Sequence, residues 1–377
     1  MKNFLKIFLL VTIIFSVASC GISENENEPL TADMKDKSTV EKLHQKNGQH
    51  KEKSDKPTEV LPPEEKISPV EKSKPVVISF AGDCTLGSFL GSDYAFENYW
   101  VNGAGYYLGN VKEIFAADDI TFVNLEGPLT EHPQTAVKQF PMRGEPKYVE
   151  ILTSSSVEIC NLSNNHIYDC GDVGFQDTIN VLRTSGVKFC GEGYSEIFDV
   201  HGMKIGFLGY QAWYDTDELR EKISSDIKKL CEEAGAQVVI VEFHWGDEKA
   251  YVSDPYQDAI AHFTIDSGAD IVVGAHPHVM QGIELYKGKI IAYSLGNFCF
   301  GANNNPSDKE TFILQTTLTK EGDKISIAPH IIPCRISSTN SYNDFCPTPV
   351  TGDEAEQILN NLANSSKKYK QTIDFSK

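Results

Sequence analysis

From residue 76 onward, short apolar runs bounded by Gly, Pro, Asn or Asp alternate with longer stretches in which apolar residues recur every third or fourth position. The first pattern is that of a buried strand, the second that of a helix with one face in the core. Strands are predicted at 76–81, 120–124, 157–162, 187–190, 204–210, 238–243, 271–274 and 290–294, with another before the turn at Gly288. Helices are predicted at 105–117, 148–155, 172–185, 217–234 and 255–266. Pro255 suits the first turn of the last helix, and Gly268 its C-terminal stop. The segments 311–319 and 325–332 read as a hairpin closed by Glu321-Gly322-Asp323. Alternating β and α units of this kind build a layered α/β domain with mixed sheets. Pro and Gly mark 127–146 as a long loop, and no internal repeat is visible. The pattern over 76–377 is that of one domain with loop insertions.

Ahead of residue 76 the pattern is different. Lys2 and Lys6 precede an apolar stretch at 8–17, too short and wrongly flanked for a spanning helix, which fits a targeting signal. It ends Val17-Ala18-Ser19-Cys20, which resembles the lipobox of bacterial lipoproteins. That resemblance implies a signal peptide over 1–20, cleavage before Cys20 and acylation of its thiol. An ordinary secretory signal and a membrane anchor are the alternatives. All of them put the body of the protein outside the cytoplasm; the lipoprotein reading puts it on the extracytoplasmic face of the bacterial cell membrane. Residues 21–75 are rich in Lys, Glu, Ser, Asn and Pro, with few aliphatics and no Phe, Trp or Tyr. Such a segment cannot bury enough apolar surface to offset ordering entropy and reads as a disordered tether.

Charge narrows the partners. Residues 21–75 hold 12 acids and 10 bases and the signal two lysines, so the whole formal charge of −19 falls on residues 76–377. A domain of that charge repels nucleic acid and anionic headgroups. An anionic polymer would need cations or a local Arg/Lys group to bridge the contact. None of the nine cysteines lies in a CxxC or zinc-ribbon pattern, and Cys160, Cys190 and Cys299 fall in apolar runs that suit buried free thiols. No disulfide is assigned.

Five polar clusters end predicted strands: Gly82-Asp83-Cys84, Asn124-Leu125-Glu126-Gly127, Asn164-Asn165-His166, Glu242-Phe243-His244-Trp245-Gly246-Asp247 and Gly274-Ala275-His276-Pro277-His278. Residues just past parallel strands sit where open α/β folds keep their ligands. Any one cluster can be turn chemistry or a satisfied buried histidine. Five at one edge all need polar partners there, and a shared cation supplies them. Carboxylate, amide oxygen and imidazole together suit Mn²⁺, Fe²⁺ or Zn²⁺ better than Ca²⁺ or a thiolate zinc site. Such an ion polarises a phosphoryl or carbonyl oxygen and lowers the pKa of bound water. His166 beside it would act as general acid or orient a charged group. Trp245 is expected to wall the pocket.

Phe140-Pro141-Met142-Arg143-Gly144, the run from Asn161 to Gly171, Phe243-His244-Trp245-Gly246, Gly274 to Gly282 and Ala292 to Phe298 resemble, in that order, the CapA-type capsule-biosynthesis family. The match covers roughly residues 76–305. The resemblance implies the fold of calcineurin-like metallophosphoesterases, a four-layer α/β/β/α sandwich with metal ligands at strand ends. It implies Asp83, Glu126, Asn165, His244, His276 and His278 as ligands to one or two divalent ions (Mn, Fe or Zn), with His166 as the neighbouring catalytic histidine. Arg143 is the candidate for gripping a carboxylate or phosphate bidentately, against the plainer reading of a surface ion pair. Two departures bear on the ion count. Thr85 stands where the superfamily's first motif has a histidine, and Glu126 replaces a bridging aspartate. The block 294–300 reads as structural, with Gly296 and Asn297 in a tight turn.

The family is associated with poly-γ-glutamate synthesis and export. The resemblance therefore implies a lipid-anchored factor in making or exporting that or a similar anionic capsular polymer, beside membrane-embedded synthesis and export proteins. Two other classes stay open: an extracellular metal-dependent hydrolase of phosphoester or γ-glutamyl amide bonds, and a polymer-binding module with a degenerate metal site.

Overall fold

The computed structural model describes residues 73–89, 91–93 and 95–375. The segments expected to form a signal peptide and, up to residue 72, a tether lie outside the described residues, and Cys20 with them. In chain order the strands are β1 (Val76–Thr85), β2 (Ser88–Phe89), β3 (Ile120–Leu125), β4 (Met142–Arg143), β5 (Ile159–Asn161), β6 (Lys188–Cys190), β7 (Glu196–Val200), β8 (Met203–Ala212), β9 (Val238–Trp245), β10 (Ile271–Ala275), β11 (Ile283–Tyr286), β12 (Lys289–Ala292), β13 (Asn297–Phe300), β14 (Glu310–Glu321), β15 (Lys324–Arg335) and β16 (Thr348–Pro349). The helices are α1 (Ala95–Asn98), α2 (Lys112–Phe115), α3 (Val149–Thr153), α4 (Gly171–Ser185), α5 (Asp217–Glu232), α6 (Pro255–Asp266) and α7 (Asp353–Ser365).

One sheet runs β16-β15-β14-β1-β3-β5-β6, with β13 also beside β1. In it β13, β1, β3, β5 and β6 are parallel, and the β14–β15 hairpin is the antiparallel part. The second sheet runs β11-β12-β10-β9-β8-β7, its four central strands parallel. Alternation along each strand sends successive side chains to opposite faces. Phe80 and Phe122 of the first sheet meet Phe207, Ile240 and Ile271 of the second in one core. Phe122 and Phe207 pack edge to face across it with ring centres 5.3 Å apart. The outer face of the first sheet is covered by Ile151 and Leu152 of α3 and Ile179 and Leu182 of α4. That of the second is covered by Ile223, Ile227 and Leu230 of α5 and Ile260 and Ile265 of α6. The layers therefore run α/β/β/α, as expected. α6 starts where predicted, with Pro255 in its first turn and Asp254 and Gln257 closing a capping box.

Three local expectations fail. The chain does not turn at Gly82, because β1 runs on to Thr85. A Cβ on Gly82 would lie 1.9 Å from the Gly296 carbonyl oxygen. The Asp83 N–H donates to that same oxygen at 3.0 Å, so the glycine serves a close backbone approach. The helix predicted over 105–117 is a 3₁₀ turn at Ala104–Tyr106 and the four-residue α2. Gly103, Gly105 and Gly109 weaken a helix there, while Tyr107, Leu108 and Val111 dock individually into the core. Asn297 is not in the turn that Gly296 makes at φ +77°; it begins β13 and pairs with β1. The eight described cysteines are free.

Candidate metal centre

The C-terminal ends of the central strands of both sheets converge. Asp83 lies near the end of β1, Glu126 follows β3, Asn165 and His166 follow β5, His244 lies near the end of β9, and His276 and His278 follow β10. All but Asn165 and His278 are buried. The six candidate ligands and His166 are thus brought together as predicted. Alternation along β9 turns Glu242 and His244 toward the first sheet and Phe243 and Trp245 toward the helices. Trp245 accordingly stacks on Phe243, donates from Nε1 to the Tyr293 carbonyl at 2.8 Å and is core, not pocket wall. The rings against the centre are Trp213, near-perpendicular to His276 with 4.7 Å between ring centres, and Phe300, 5.0 Å from His278.

Glu126 is the hub. Its Oε2 accepts from Thr85 Oγ1 at 2.9 Å, so Thr85 holds one carboxylate oxygen. Its Oε1 accepts nothing. Around Oε1 stand three imidazole Nε2 atoms: His244 at 3.7 Å, His278 at 3.9 Å and His166 at 4.0 Å. These separations are too long for hydrogen bonds. Those to His244 and His278 each suit two ligands of one ion, because two atoms each about 2.1 Å from a metal lie up to ~4 Å apart. His276 Nδ1 is likewise buried and without a partner. A buried polar atom left unmet costs on the order of 1–3 kcal/mol. A divalent cation would satisfy both atoms, and the donors fit it. They fall into two triads that share Glu126, namely Glu126–His244–His276 and Asp83–Glu126–His278. No thiolate is among them, which suits Mn²⁺, Fe²⁺ or Zn²⁺.

Burial and mutual charge set the protonation. Burial, reinforced by the charge of Asp83, pushes the Glu126 carboxyl above the ordinary range. Glu242, buried behind the centre, is raised well above it for the same two reasons. Burial and then the neighbouring histidines hold His244 well below the usual imidazole range and bring His276 down to about 4. Both are neutral at physiological pH, the form that ligates metals. His278 differs: burial opposes its charge, but Glu126 and Asp83 outweigh burial and raise it to about 10. It would surrender that proton to bind an ion.

Residues 77–302 match the family described as bacterial capsule synthesis protein PGA_cap. The chain belongs to this family. It is 30% identical over 318 residues to the PGA biosynthesis protein CapA of Bacillus subtilis (strain 168), covering 76% of this chain and 78% of the relative. It is 27% identical over 323 residues to the capsule biosynthesis protein CapA of Bacillus anthracis, covering 76% and 73%. Among solved structures, the Thermus thermophilus protein TT1561 aligns at 10% identity over 68% of this chain and 99% of its own, with a TM-score of 0.39. The purple acid phosphatase PPD1 of yellow lupin aligns at 11% identity over 81% and 58%, with a TM-score of 0.34.

The segment matched to the PGA_cap family contains every candidate ligand, His166 and Arg143. Arg143 lies on β4, in a narrow crevice it shares with Thr85, Glu126 and Gly127. Its Nη1 donates to the Glu131 carbonyl at 3.4 Å, and it forms no ion pair among the described residues. The same segment holds partners that the motifs did not announce. Asp169 accepts from His166 Nδ1 at 2.7 Å and from the Met142 N–H at 2.5 Å, and Lys138 pairs with it at 2.5 Å. Lys138 also donates to the Asn165 carbonyl at 2.8 Å, tying the 127–146 loop to the Asn165–His166 turn. Spacing offered one hint: Asp169 stands three residues after His166, inside the quoted motif. Nothing in the sequence marked Trp213 or Lys138.

Proposed function

We propose that this protein is an accessory factor in the synthesis of a capsular poly-γ-glutamate or similar anionic polymer. In this reading it is held at the extracytoplasmic face by lipid on Cys20 and works beside membrane-embedded synthesis and export proteins, with a divalent-metal centre that cuts or trims polymer chains. Membership of the PGA_cap family supports the capsule role. The observation that carries the metal centre is Glu126 Oε1, buried and unpaired amid three imidazole nitrogens.

Asp83, Glu126, Asn165, His244, His276 and His278 would hold the ion or ions. When bound, such an ion polarises an acyl or phosphoryl oxygen and lowers the pKa of a water. The rest falls to this chain's own groups. His166 is oriented by its Nδ1 bond to Asp169, so its Nε2 faces the centre. From there a proton carried on Nε2 can pass to the departing nitrogen or oxygen as water's hydroxyl adds to the carbon or phosphorus, and the proton that the water releases restores it. Arg143, without a partner carboxylate, is free to pair with an anionic group of the substrate. On a domain that carries the chain's full −19, cations or this arginine must bridge any polyanion. The second reading, a polymer-binding module with a degenerate metal centre, is favoured by one observation: Thr85 in place of a histidine.

The test uses the full chain purified in detergent. Metal content is measured alongside γ-glutamyl hydrolase and phosphoesterase turnover, in the wild type and in His276→Ala. Bound divalent metal and turnover, both lost in His276→Ala, are expected. Bound metal and cation-dependent polymer binding without turnover would favour the binding module. Neither metal nor turnover would reject the centre, and normal polymer from a deletion strain would reject the capsule role.

A further inference from the structure

Three residues lie side by side across the strand ends of the first sheet. Asn297 on β13 and Asn124 on β3 are both register partners of Asp83 on β1. Each asparagine is bonded to one histidine of the centre, and the two bonds set those histidines in opposite ways.

Asn297 Nδ2 donates to the His278 backbone carbonyl at 3.1 Å. A carbonyl only accepts, which fixes the amide nitrogen on that side and leaves Asn297 Oδ1 facing His278 Nδ1 at 2.9 Å. That oxygen also only accepts, so Nδ1 must carry a hydrogen. Asp83 Oδ2, 3.2 Å from the same nitrogen, makes the same demand. When the ring gives up its second proton, Nδ1 stays protonated and Nε2, facing Glu126 Oε1, is the nitrogen that offers a lone pair, with no tautomer change or amide turn needed. Ligating histidines commonly work this way, donating from one nitrogen and binding through the other. His278 holds this arrangement at φ +57°, a backbone conformation that the Asn297 bond helps to keep.

Asn124 does the reverse. Its Nδ2 donates to Asp83 Oδ1 at 2.8 Å, and the same group is 3.2 Å from His244 Nδ1. Its Oδ1 is turned to the other side, where it accepts from Asn164 Nδ2 at 3.3 Å. With an amide N–H directed at it, His244 Nδ1 accepts, and the neutral ring carries its one hydrogen on Nε2. That hydrogen goes to Asn165 Oδ1 at 2.9 Å. Two groups that would share an ion are thereby bonded to each other, and the lone pair of His244 points away from Glu126.

We infer that the metal-free centre is asymmetric: Asn297 and Asp83 preset the Asp83–Glu126–His278 position to take a divalent cation, and Asn124 presets His244 against one, so the Glu126–His244–His276 position fills second and more weakly. This rests on the reading that these residues bind a divalent cation. Filling the second position requires His244 to shift its hydrogen to Nδ1 and Asn124 to turn its amide, breaking its bond to Asp83.

The full chain in detergent, stripped by chelator, is titrated with Mn²⁺ and followed by calorimetry and by the electron paramagnetic resonance of free Mn²⁺. The wild type should take up one ion per chain, then a second at least ~10-fold more weakly, in line with the 10- to 100-fold that outer partners of ligands usually carry. In Asn124→Asp a carboxylate can accept the His244 Nδ1 hydrogen and free Nε2, so the second step should tighten and the gap narrow. Asn297→Leu should weaken the first step by about 10- to 100-fold and leave the second nearly unchanged. Two ions of equal affinity in the wild type would overturn the asymmetry without any variant having to fold. A gap unchanged in Asn124→Asp would overturn the role of Asn124. No uptake of Mn²⁺ would instead sink the metal centre itself, and this inference with it.

Discussion

Glu126 and His244 face each other at 3.7 Å, Oε1 to Nε2, in the interior of the protein, and no donor reaches that oxygen. Burial and the nearby Asp83 carboxylate already push the Glu126 carboxyl up, so the metal-free protein holds this side chain at a cost. Glu126→Gln should therefore leave the metal-free protein as stable as the wild type or more so, while abolishing the stabilisation by added Mn²⁺ or Zn²⁺. In the wild type, saturating metal at ~100 times its Kd should add about 2.7 kcal/mol, a shift of several degrees in Tm. Thermal melts with chelator and with metal decide it. A Glu126→Gln protein that melts lower than the wild type in chelator and still responds to metal would contradict this account.

In the proposed function Asp169 would act on the chemistry only through His166, to whose Nδ1 it is bonded, and that fixes what its loss should look like. Asp169→Asn keeps size and some hydrogen bonding but removes the acceptor that orients His166 Nδ1. Turnover should fall by roughly 10²- to 10⁴-fold, as when an orienting carboxylate or a general acid is lost elsewhere. Metal content should stay near that of the wild type, because Asp169 is not among the ligands. Lys138→Met should have a milder effect, since the Met142 N–H and His166 still anchor Asp169. Loss of metal together with turnover in Asp169→Asn would make the residue a structural support of Asn165 instead.

The layer order is legible in the sequence because it follows from period, and so is the meeting of polar clusters at the strand ends; the choice of candidate ligands among them comes from the family resemblance. Strand runs such as 120–124 and 238–243 alternate with amphipathic helices, and a polar cluster at the end of a parallel strand has few places to go. What was not legible depends on contacts distant in the chain. Asn297 read as a turn residue because its partners, Asp83 and His278, are brought to it by different strands. Trp245 reads as a pocket wall for a simpler reason: on β9 a shift of one residue changes the face, whereas Trp213 lies just past β8 with no motif to mark it. β7, β16 and α7 went unpredicted. β7 is a five-residue edge strand that pairs only with β8, and its pattern is weak. α7 turns Ile358, Leu359 and Leu362 to the core at helical spacing, a stripe that is readable in the sequence.

In the proposed function Arg143 and the metal centre would make separable contributions to holding an anionic substrate. A bidentate guanidinium–carboxylate pair is worth ~1.5–3 kcal/mol, about 10- to 100-fold in binding. Arg143→Ala should therefore raise KM for an anionic polymer by that factor and leave metal content alone; Arg143→Lys should recover only part of the loss. Chelator should abolish the binding that remains. Polymer binding indifferent to both changes would mean that the acidic domain meets the polymer elsewhere.

The last prediction concerns the opposite end of β3. There Asp118 Oδ2 accepts from Thr121 Oγ1 at 2.8 Å, and Glu158 Oε2 accepts from the Thr121 N–H at 2.7 Å. Burial raises both carboxyls, Asp118 to about 6 and Glu158 to about 7, against hydrogen bonds that pull the other way. A carboxyl with a raised folded pKa binds its proton more tightly folded than unfolded. Its contribution to stability is thus full below the ordinary carboxyl range and is lost as pH rises through 6 and 7. Glu158→Gln keeps an acceptor for the Thr121 N–H and removes the titration. Relative to the wild type, its Tm should rise by a few degrees at pH 8 and change little at pH 4, so the difference between the two proteins should grow between pH 5 and 8. Because this pair is far along β3 from Glu126, metal uptake should not change. A Glu158→Gln protein less stable at pH 8 than the wild type would show that the Thr121 bond to a charged carboxylate outweighs the burial of that charge.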